Sequence, residues 1–162
     1  MLDAEASRMR ARMIAFALSA LLLCACGAED PLTHAELVER ADAICTDAFA
    51  RIREIGADLP EPDAASVDAW ADALGRTLPI LEGMIDDLRD LEPPPADADG
   101  YGALLAAFDL ELTALAEVLV AAEAGDADGM SRPSEDATLA WVDADHVAER
   151  LGLDGCRLLG EG

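Results

Sequence analysis

Apolar residues recur every three or four positions from residue 34 to residue 151, and no stretch alternates between apolar and polar over the length of a strand. A repeat of that period places apolar side chains on one face of a helix, whereas a half-buried strand needs a period of two. Proline and glycine clusters divide the pattern into four segments. Four amphipathic helices with short connections predict an all-α fold, a four-helix up-and-down bundle.

The first predicted helix begins and ends at recognisable signals. Thr33-His34-Ala35-Glu36 is a capping box, in which a hydroxyl and a carboxylate satisfy each other's backbone N–H groups. Gly56 provides a stop. The predicted apolar face between them consists of Leu37, Ala41, Ile44, Ala48, Ile52 and Ile55.

The second helix is predicted to start near Asp63 or Ser66 and to end before Pro93-Pro94-Pro95. Its apolar positions alternate steps of four and three, as in the seam of a packed bundle. They are Val67, Ala71, Leu74, Leu78, Leu81, Ile85 and Leu88. Pro79 has no N–H to donate four residues back, so we expect a kink or break near Gly75. Such a break would open a groove between helices for an apolar ligand.

Two further helices complete the predicted bundle. The third runs from about Tyr101 to Ala124, and the fourth from about Ser134 to Leu151 after a loop over residues 125–133. The few aromatic side chains fall at helical spacings, so we expect them in the core. The predicted apolar positions of the third helix are Tyr101, Leu104, Leu105, Phe108, Leu112, Leu115, Val118 and Leu119, and those of the fourth are Ala137, Trp141, Val147, Ala148 and Leu151.

The first 26 residues have the pattern of a bacterial lipoprotein leader. Three arginines, Arg8, Arg10 and Arg12, precede an apolar stretch over 13–23, which is too short for a membrane-spanning helix of about 20 residues. Leu23-Cys24-Ala25-Cys26 then places a small residue before a cysteine that can carry lipid. We expect cleavage before Cys26 and lipid on that cysteine. A plain signal peptide or a short anchor helix is the alternative.

This leader defines the predicted organisation of the chain. Residues 1–25 are a signal peptide, 26–33 a lipidated tether and 34–162 a single helical domain. The predicted location is the extracytoplasmic face of the cell membrane, held by two or more acyl chains. Acidic residues at positions 3 and 5 suit a leader poorly, which leaves Met1 and Met9 both open as the start.

The charge of the chain limits its partners. The formal net charge is −23, and every basic residue other than histidine is arginine, because lysine does not occur. Cleavage removes three arginines but only two acids, so the mature chain is slightly more negative still. Such a surface repels nucleic acid and favours a basic envelope protein or peptide. The absence of lysine and asparagine excludes a Schiff-base lysine and N-glycosylation.

Two cysteines remain in the predicted mature domain, Cys45 near its start and Cys156 near its end. In an exported protein such a pair favours a disulfide. In the chain-entropy model, a disulfide that closes a loop of roughly 100 residues contributes about 4–5 kcal/mol. Two free thiols, or two metal ligands, are the alternative.

Three short motifs resemble a loose group of small exported helical proteins of actinobacteria. They are Ala41-Asp42-Ala43-Ile44-Cys45, Leu88-Arg89-Asp90-Leu91-Glu92-Pro93-Pro94 and Leu151-Gly152-Leu153-Asp154-Gly155-Cys156. Members of that group often have an Ala-Asn-x-Ile-Cys start and a Leu-Gly-Leu-x-x-Cys end, so Asp42 stands here where asparagine is usual. The resemblance implies the bundle and the disulfide, and no catalytic residue.

Candidate metal sites are weak in this sequence. His34 lies inside the capping box, and His146 follows Asp143-Ala144-Asp145, whose side chains point in different directions on a helix. The segment Asp126–Glu135 partly fits a calcium loop, but Ala124 stands at its first ligand position, so we interpret the segment as a turn. We predict no metal site, no cofactor and no catalytic residue.

Two classes of function remain open. The first is a non-catalytic binding or scaffold module of the cell envelope. The second is a protein that binds a small ligand or a metal, or an enzyme that uses carboxylates. The sequence has no Gly-x-Ser-x-Gly, no phosphate loop and no His-Glu-x-x-His motif, which favours the first class.

Overall fold

The computed structural model describes residues 31–57, 59 and 66–157. The four α-helices in these ranges are α1 (His34–Gly56), α2 (Val67–Arg89), α3 (Ala98–Glu123) and α4 (Ser131–Leu151), followed by a 3₁₀ turn over Asp154–Cys156. Consecutive helices pack against each other, and these described ranges contain no strand. The predicted all-α, four-helix up-and-down bundle is confirmed. The leader, Cys26 and most of the predicted tether lie outside the described residues.

Helix α1 begins at the predicted capping box. Glu36 Oε2 accepts the backbone N–H of Thr33 at 2.9 Å, and Thr33 Oγ1 accepts the backbone N–H of Glu36 at 3.3 Å. The hydrogen bonds from Thr33 lower the pKa of the Glu36 carboxyl. The box fixes where the helix starts and how the preceding chain approaches it.

The buried face of α1 is rotated from its predicted position. Ile44, Ile52 and Ile55 are only half-buried, while Cys45 and Phe49 lie in the core. An aromatic side chain offers more apolar area than an isoleucine, and Cys45 must face the residue to which it is joined. These two residues therefore decide which side of α1 turns inward.

Helix α2 is continuous through Pro79, so of the predicted kink or break near Gly75 the break is wrong. Pro79 removes the hydrogen bond that the carbonyl of Gly75 would accept. Both residues lie on the exposed side of the helix, where water can hydrogen-bond that carbonyl. The start of the helix agrees with the second of the two predicted positions, because Ser66 is its N-terminal flanking residue.

Helices α3 and α4 each start three residues earlier than predicted, and α4 does so with Pro133 in its first turn. A proline is tolerated there because the first N–H groups of a helix have no partner within it. Among the described helices, none combines the length and apolarity that crossing a bilayer requires.

The core consists of two clusters. The larger cluster joins all four helices around Leu37, Ile85, Leu104 and Phe108. A smaller cluster packs the start of α2, the end of α3 and the residue before α4, and its buried members are Val67, Leu74, Val118, Ala122 and Met130. Five of the nineteen buried residues of the larger cluster are alanines, against one of five in the smaller cluster.

The predicted disulfide is present and joins Cys45 of α1 to Cys156, with a Cα–Cα distance of 4.9 Å. Gly152 ends α4 with a φ of 70°, a left-handed conformation that favours glycine. The Leu153 N–H then donates to the Ala148 carbonyl at 2.9 Å, and the Leu153 side chain is buried in the core. This turn directs the tail back toward α1.

The start of α1 is attached to the connection between α2 and α3. The Leu32 N–H donates to the Glu92 carbonyl at 3.0 Å, and the Leu32 side chain packs against the larger core cluster. His34 Nδ1 lies 2.8 Å from Asp97 Oδ2. In an up-and-down bundle, this end lies opposite the end formed by the start of α2, the end of α3 and the start of α4.

Candidate functional site

Neither histidine belongs to a group of potential metal ligands among the residues that the structure describes. His146 is exposed on α4, whereas Asp145 beside it is buried and faces Arg157, with 3.7 Å between Asp145 Oδ2 and Arg157 Nε. His34 pairs with Asp97 instead of a metal-binding cluster. Among the residues that the structure describes, no group of three or more histidine, cysteine, aspartate or glutamate side chains could hold a metal ion.

The acidic segment Asp126–Glu135 divides between a turn and α4. Asp126 Oδ1 accepts the backbone N–H of Gly129 at 2.9 Å, and Glu135 is exposed on α4. The Asp126 carboxylate therefore accepts a hydrogen bond from within its own turn. This agrees with the interpretation of the segment as a turn.

A cavity of about 290 Å³ lies between α2, α3 and α4. It borders the smaller core cluster, at the end of the bundle opposite Leu32. An engineered apolar cavity of about 150 Å³ holds benzene, so this cavity can hold one aromatic ring with a short substituent. Its walls are formed by Trp70, Leu74, Glu111, Leu115, Val118, Met130, Ser134, Ala137, Thr138 and Trp141.

The cavity follows from the residue types that meet there. Trp70 and Leu74 lie one turn apart on α2, and their side chains form one wall. On α4, the lining residues Ser134 and Ala137 have small side chains. The cavity thus lies beside two large indole side chains and two small side chains, which together leave it unfilled.

Glu111 is the charged residue of the cavity wall. Its Oε2 is buried and has no hydrogen-bond partner among the described residues. Burial raises the pKa of the Glu111 carboxyl to about 7, because a low-dielectric surrounding disfavours the ionised form. A buried polar atom without a partner costs about 1–3 kcal/mol, and more when it is charged. Stability of the bundle alone does not account for a glutamate at this position.

Trp141 contributes a second buried polar atom to the same cavity. Its Nε1 has no acceptor within the described part of the chain. Most buried indole N–H groups find a hydrogen-bond partner. Two residues of the cavity wall, Glu111 and Trp141, thus each have a buried polar atom that the described residues leave unpaired.

Two hydroxyl groups of α4 complete the polar part of the wall. Ser134 Oγ donates to the Met130 carbonyl at 2.8 Å, and Thr138 Oγ1 donates to the Ser134 carbonyl at 2.8 Å. Each hydroxyl has one proton. These two groups can therefore offer only lone pairs to an occupant of the cavity.

The sequence contains a signal for Glu111 that the prediction of core residues overlooked. Phe108, Glu111, Leu115 and Val118 follow steps of three, four and three, which place a carboxylate directly on the buried seam of α3. Trp70 was expected in the core and Trp141 on the apolar face of its helix, yet both are half-buried at the cavity. Helix α2 has no break at Pro79 that could open the expected groove, and the cavity lies near the first turns of that helix instead.

The chain matches no protein-family model, no curated protein and no solved structure. The resemblance to small exported proteins of actinobacteria therefore stays a prediction, and the function has to be argued from the site.

Proposed function

We propose that this protein is a lipid-anchored, non-catalytic binding protein of the cell envelope, which holds a small and largely apolar ligand between α2, α3 and α4. The observation that carries the proposal is the cavity whose wall contains a buried, unpaired carboxylate oxygen of Glu111 and a buried, unpaired indole N–H of Trp141. A ligand that pairs with these atoms would remove their desolvation cost.

The composition of the wall supports binding rather than turnover. Apolar and aromatic side chains form most of it, with a few polar atoms that can orient a ligand, as in ordinary small-molecule sites. The wall contains one carboxyl group and two hydroxyls, and none of the lining residues is a histidine or a cysteine. A paired nucleophile and base, which acyl or phosphoryl transfer would require, is not among these lining residues.

Intrinsic fluorescence provides the test, because the chain has only two tryptophans and both line the cavity. The mature lipoprotein in phosphatidylcholine vesicles is titrated with 2-phenylethanol, a neutral aromatic probe, and empty vesicles correct for partitioning of the probe. We expect a saturable change in tryptophan emission.

Two threonine variants provide the matched control. Thr138 and Thr113 are both exposed, and each donates to the carbonyl four residues earlier, but only Thr138 lines the cavity. Thr138→Phe should obstruct the cavity and remove the saturable change, whereas Thr113→Phe should retain it. Emission that changes only linearly, or equally in both variants, would refute the proposed binding site.

A further inference from the structure

The polar groups of the cavity indicate the chemical class of its ligand. We infer that the ligand is a small organic amine, bound as its ammonium ion beside Glu111 with its apolar part between Trp70 and Trp141. This inference rests on the proposed function and specifies it further.

The first support is the hydrogen-bonding inventory of the wall. Ser134 and Thr138 have each committed their proton to a backbone carbonyl, and an ionised Glu111 carboxylate is an acceptor only. Three acceptors call for a ligand that is rich in donors. A primary ammonium group has three N–H donors and no lone pair, as the lysine side chain does.

The second support is the environment of the Glu111 carboxylate. Its buried Oε2 has no partner among the described residues, and the lining residues include no arginine. A charge that is buried without a counterion is costly, and a cation beside it offsets that cost. None of the lining residues supplies that positive charge, whereas a cationic occupant of the cavity would. An anionic ligand would add a second negative charge and is disfavoured.

The third support is the pair of indole side chains. Trp70 and Trp141 line the cavity together with Glu111. Tryptophan has the most favourable ring face for attracting a cation, and recognition of organic ammonium groups commonly uses such rings. The buried N–H of Trp141 would in addition pair with a hydroxyl or carbonyl oxygen of the ligand, so an amine that also carries such an oxygen fits best.

The fourth support is the charge of the whole chain. With a formal net charge of −23, the surface concentrates cations near the protein and repels anions. Several arginines are already within ion-pair distance of carboxylates, namely Arg51, Arg76, Arg89, Arg132 and Arg157. The field near the protein therefore favours the approach of a positively charged ligand.

Three probes of similar size and different charge test this inference. Phenethylamine, 2-phenylethanol and 3-phenylpropionate are titrated at pH 8 into the mature lipoprotein in phosphatidylcholine vesicles, and tryptophan emission is recorded. The amine is protonated at this pH, since the pKa of a comparable amine, the lysine side chain, is about 10.4. We expect phenethylamine to bind about tenfold or more tightly than 2-phenylethanol, because a charged hydrogen bond is stronger than a neutral one. We expect 3-phenylpropionate to bind most weakly.

Glu111→Gln keeps the size of the side chain and removes its charge, so the ratio of the amine affinity to the alcohol affinity should fall toward one. Glu117→Gln is the matched control, because Glu117 is exposed on the same helix and does not line the cavity. That variant should keep the ratio of the unaltered protein. Circular dichroism of both variants shows whether each has folded.

The outcomes separate the two claims. If 2-phenylethanol binds saturably but phenethylamine binds no more tightly, the amine is the wrong ligand class while the binding site stands. A preference for 3-phenylpropionate, or an unchanged ratio in folded Glu111→Gln, also overturns the inference. If none of the three probes gives a saturable response, the proposed function itself fails.

Discussion

The backbone N–H of Gly155 donates to Oδ1 of Asp42 at 2.8 Å, although 113 positions of sequence separate the two residues. The neighbouring disulfide joins Cys45 to Cys156. Together these links attach the tail after α4 to the middle of α1. An aspartate or an asparagine side chain at this position offers an oxygen that can accept this N–H. Desolvation raises the pKa of the Asp42 carboxyl, and the nearby charge of Asp154 adds to this effect.

The contact between Gly155 and α1 predicts the effect of a methyl group. A Cβ at Gly155 would lie 2.6 Å from the Asp42 carbonyl oxygen and 2.7 Å from its Cα. Gly155→Ala should therefore displace the tail and lower the free energy of unfolding by about 1–3 kcal/mol. Urea unfolding followed by circular dichroism measures the change. Gly102→Ala is the control, because its Cβ would meet nothing within 4 Å and alanine should stabilise the helix by about 0.5–1 kcal/mol. Equal destabilisation by both variants would contradict this account.

The disulfide predicts a dependence of stability on the redox state. It closes a loop with a sequence separation of 111, so its loss should lower the free energy of unfolding by about 2–5 kcal/mol. Thermal melts with and without reductant measure this on the unaltered protein. In the Cys45→Ala, Cys156→Ala double variant, reductant should have no further effect. A melting temperature that is the same before and after verified reduction would show that the link adds no stability.

Glu111 predicts a dependence of stability on pH. Its pKa is 4.5 when it is free and about 7 in the folded protein, because of burial. The folded state thus favours the protonated form, so the stabilising contribution is complete below about pH 4.5 and is lost as the pH rises through 7. The loss amounts to about 3 kcal/mol at most. In Glu111→Gln this loss should be absent. The free energy of unfolding is measured for the variant and for the unaltered protein from pH 4.5 to pH 8. The difference between the two isolates the contribution of the Glu111 carboxyl. Parallel curves would mean that the Glu111 carboxyl is not desolvated.

The anchoring proposal predicts the fate of a single-cysteine variant. Cys26→Ala should accumulate as uncleaved precursor and should not incorporate labelled fatty acid, because the lipid acceptor is lost. Cys24→Ala, two residues earlier in the same leader, should be processed and labelled normally. Labelling followed by membrane fractionation and mass spectrometry of the N-terminus distinguishes these outcomes. If the unaltered protein is cleaved before residue 26 but carries no lipid, the lipoprotein interpretation is wrong and the leader is a plain signal peptide.

The helices could be predicted from the sequence because their signals are local. The capping box at Thr33 and the apolar period of each segment depend on neighbouring residues, and the structure confirms the capping box and the four helices. The disulfide was predicted from the number of cysteines and from the expected export of the chain. The effect of Pro79 depended instead on whether Gly75 faces solvent, which local sequence does not state.

The cavity could be predicted only in part, because it results from volumes that three helices contribute together. The groove expected at a break in the second helix was wrong, since no break is present. Ser134 and Ala137 give no local signal of a cavity, because the cavity also depends on Trp70 of another helix. The position of Glu111 on the buried seam of α3 was the one local signal, and it indicated the residue that now carries the proposed chemistry.

Nuclear magnetic resonance of the two indole N–H groups tests the central claim most directly, since Trp70 and Trp141 both line the cavity and no other tryptophan exists in the chain. The mature lipoprotein, labelled with ¹⁵N-tryptophan and placed in lipid nanodiscs, is titrated with phenethylamine. The resonances are assigned from Trp70→Phe and Trp141→Phe. We expect both resonances to move along saturating curves that share one dissociation constant, and to stay fixed in Thr138→Phe. If neither resonance moves, or if both move without saturation, the cavity is not a ligand site and the account is wrong.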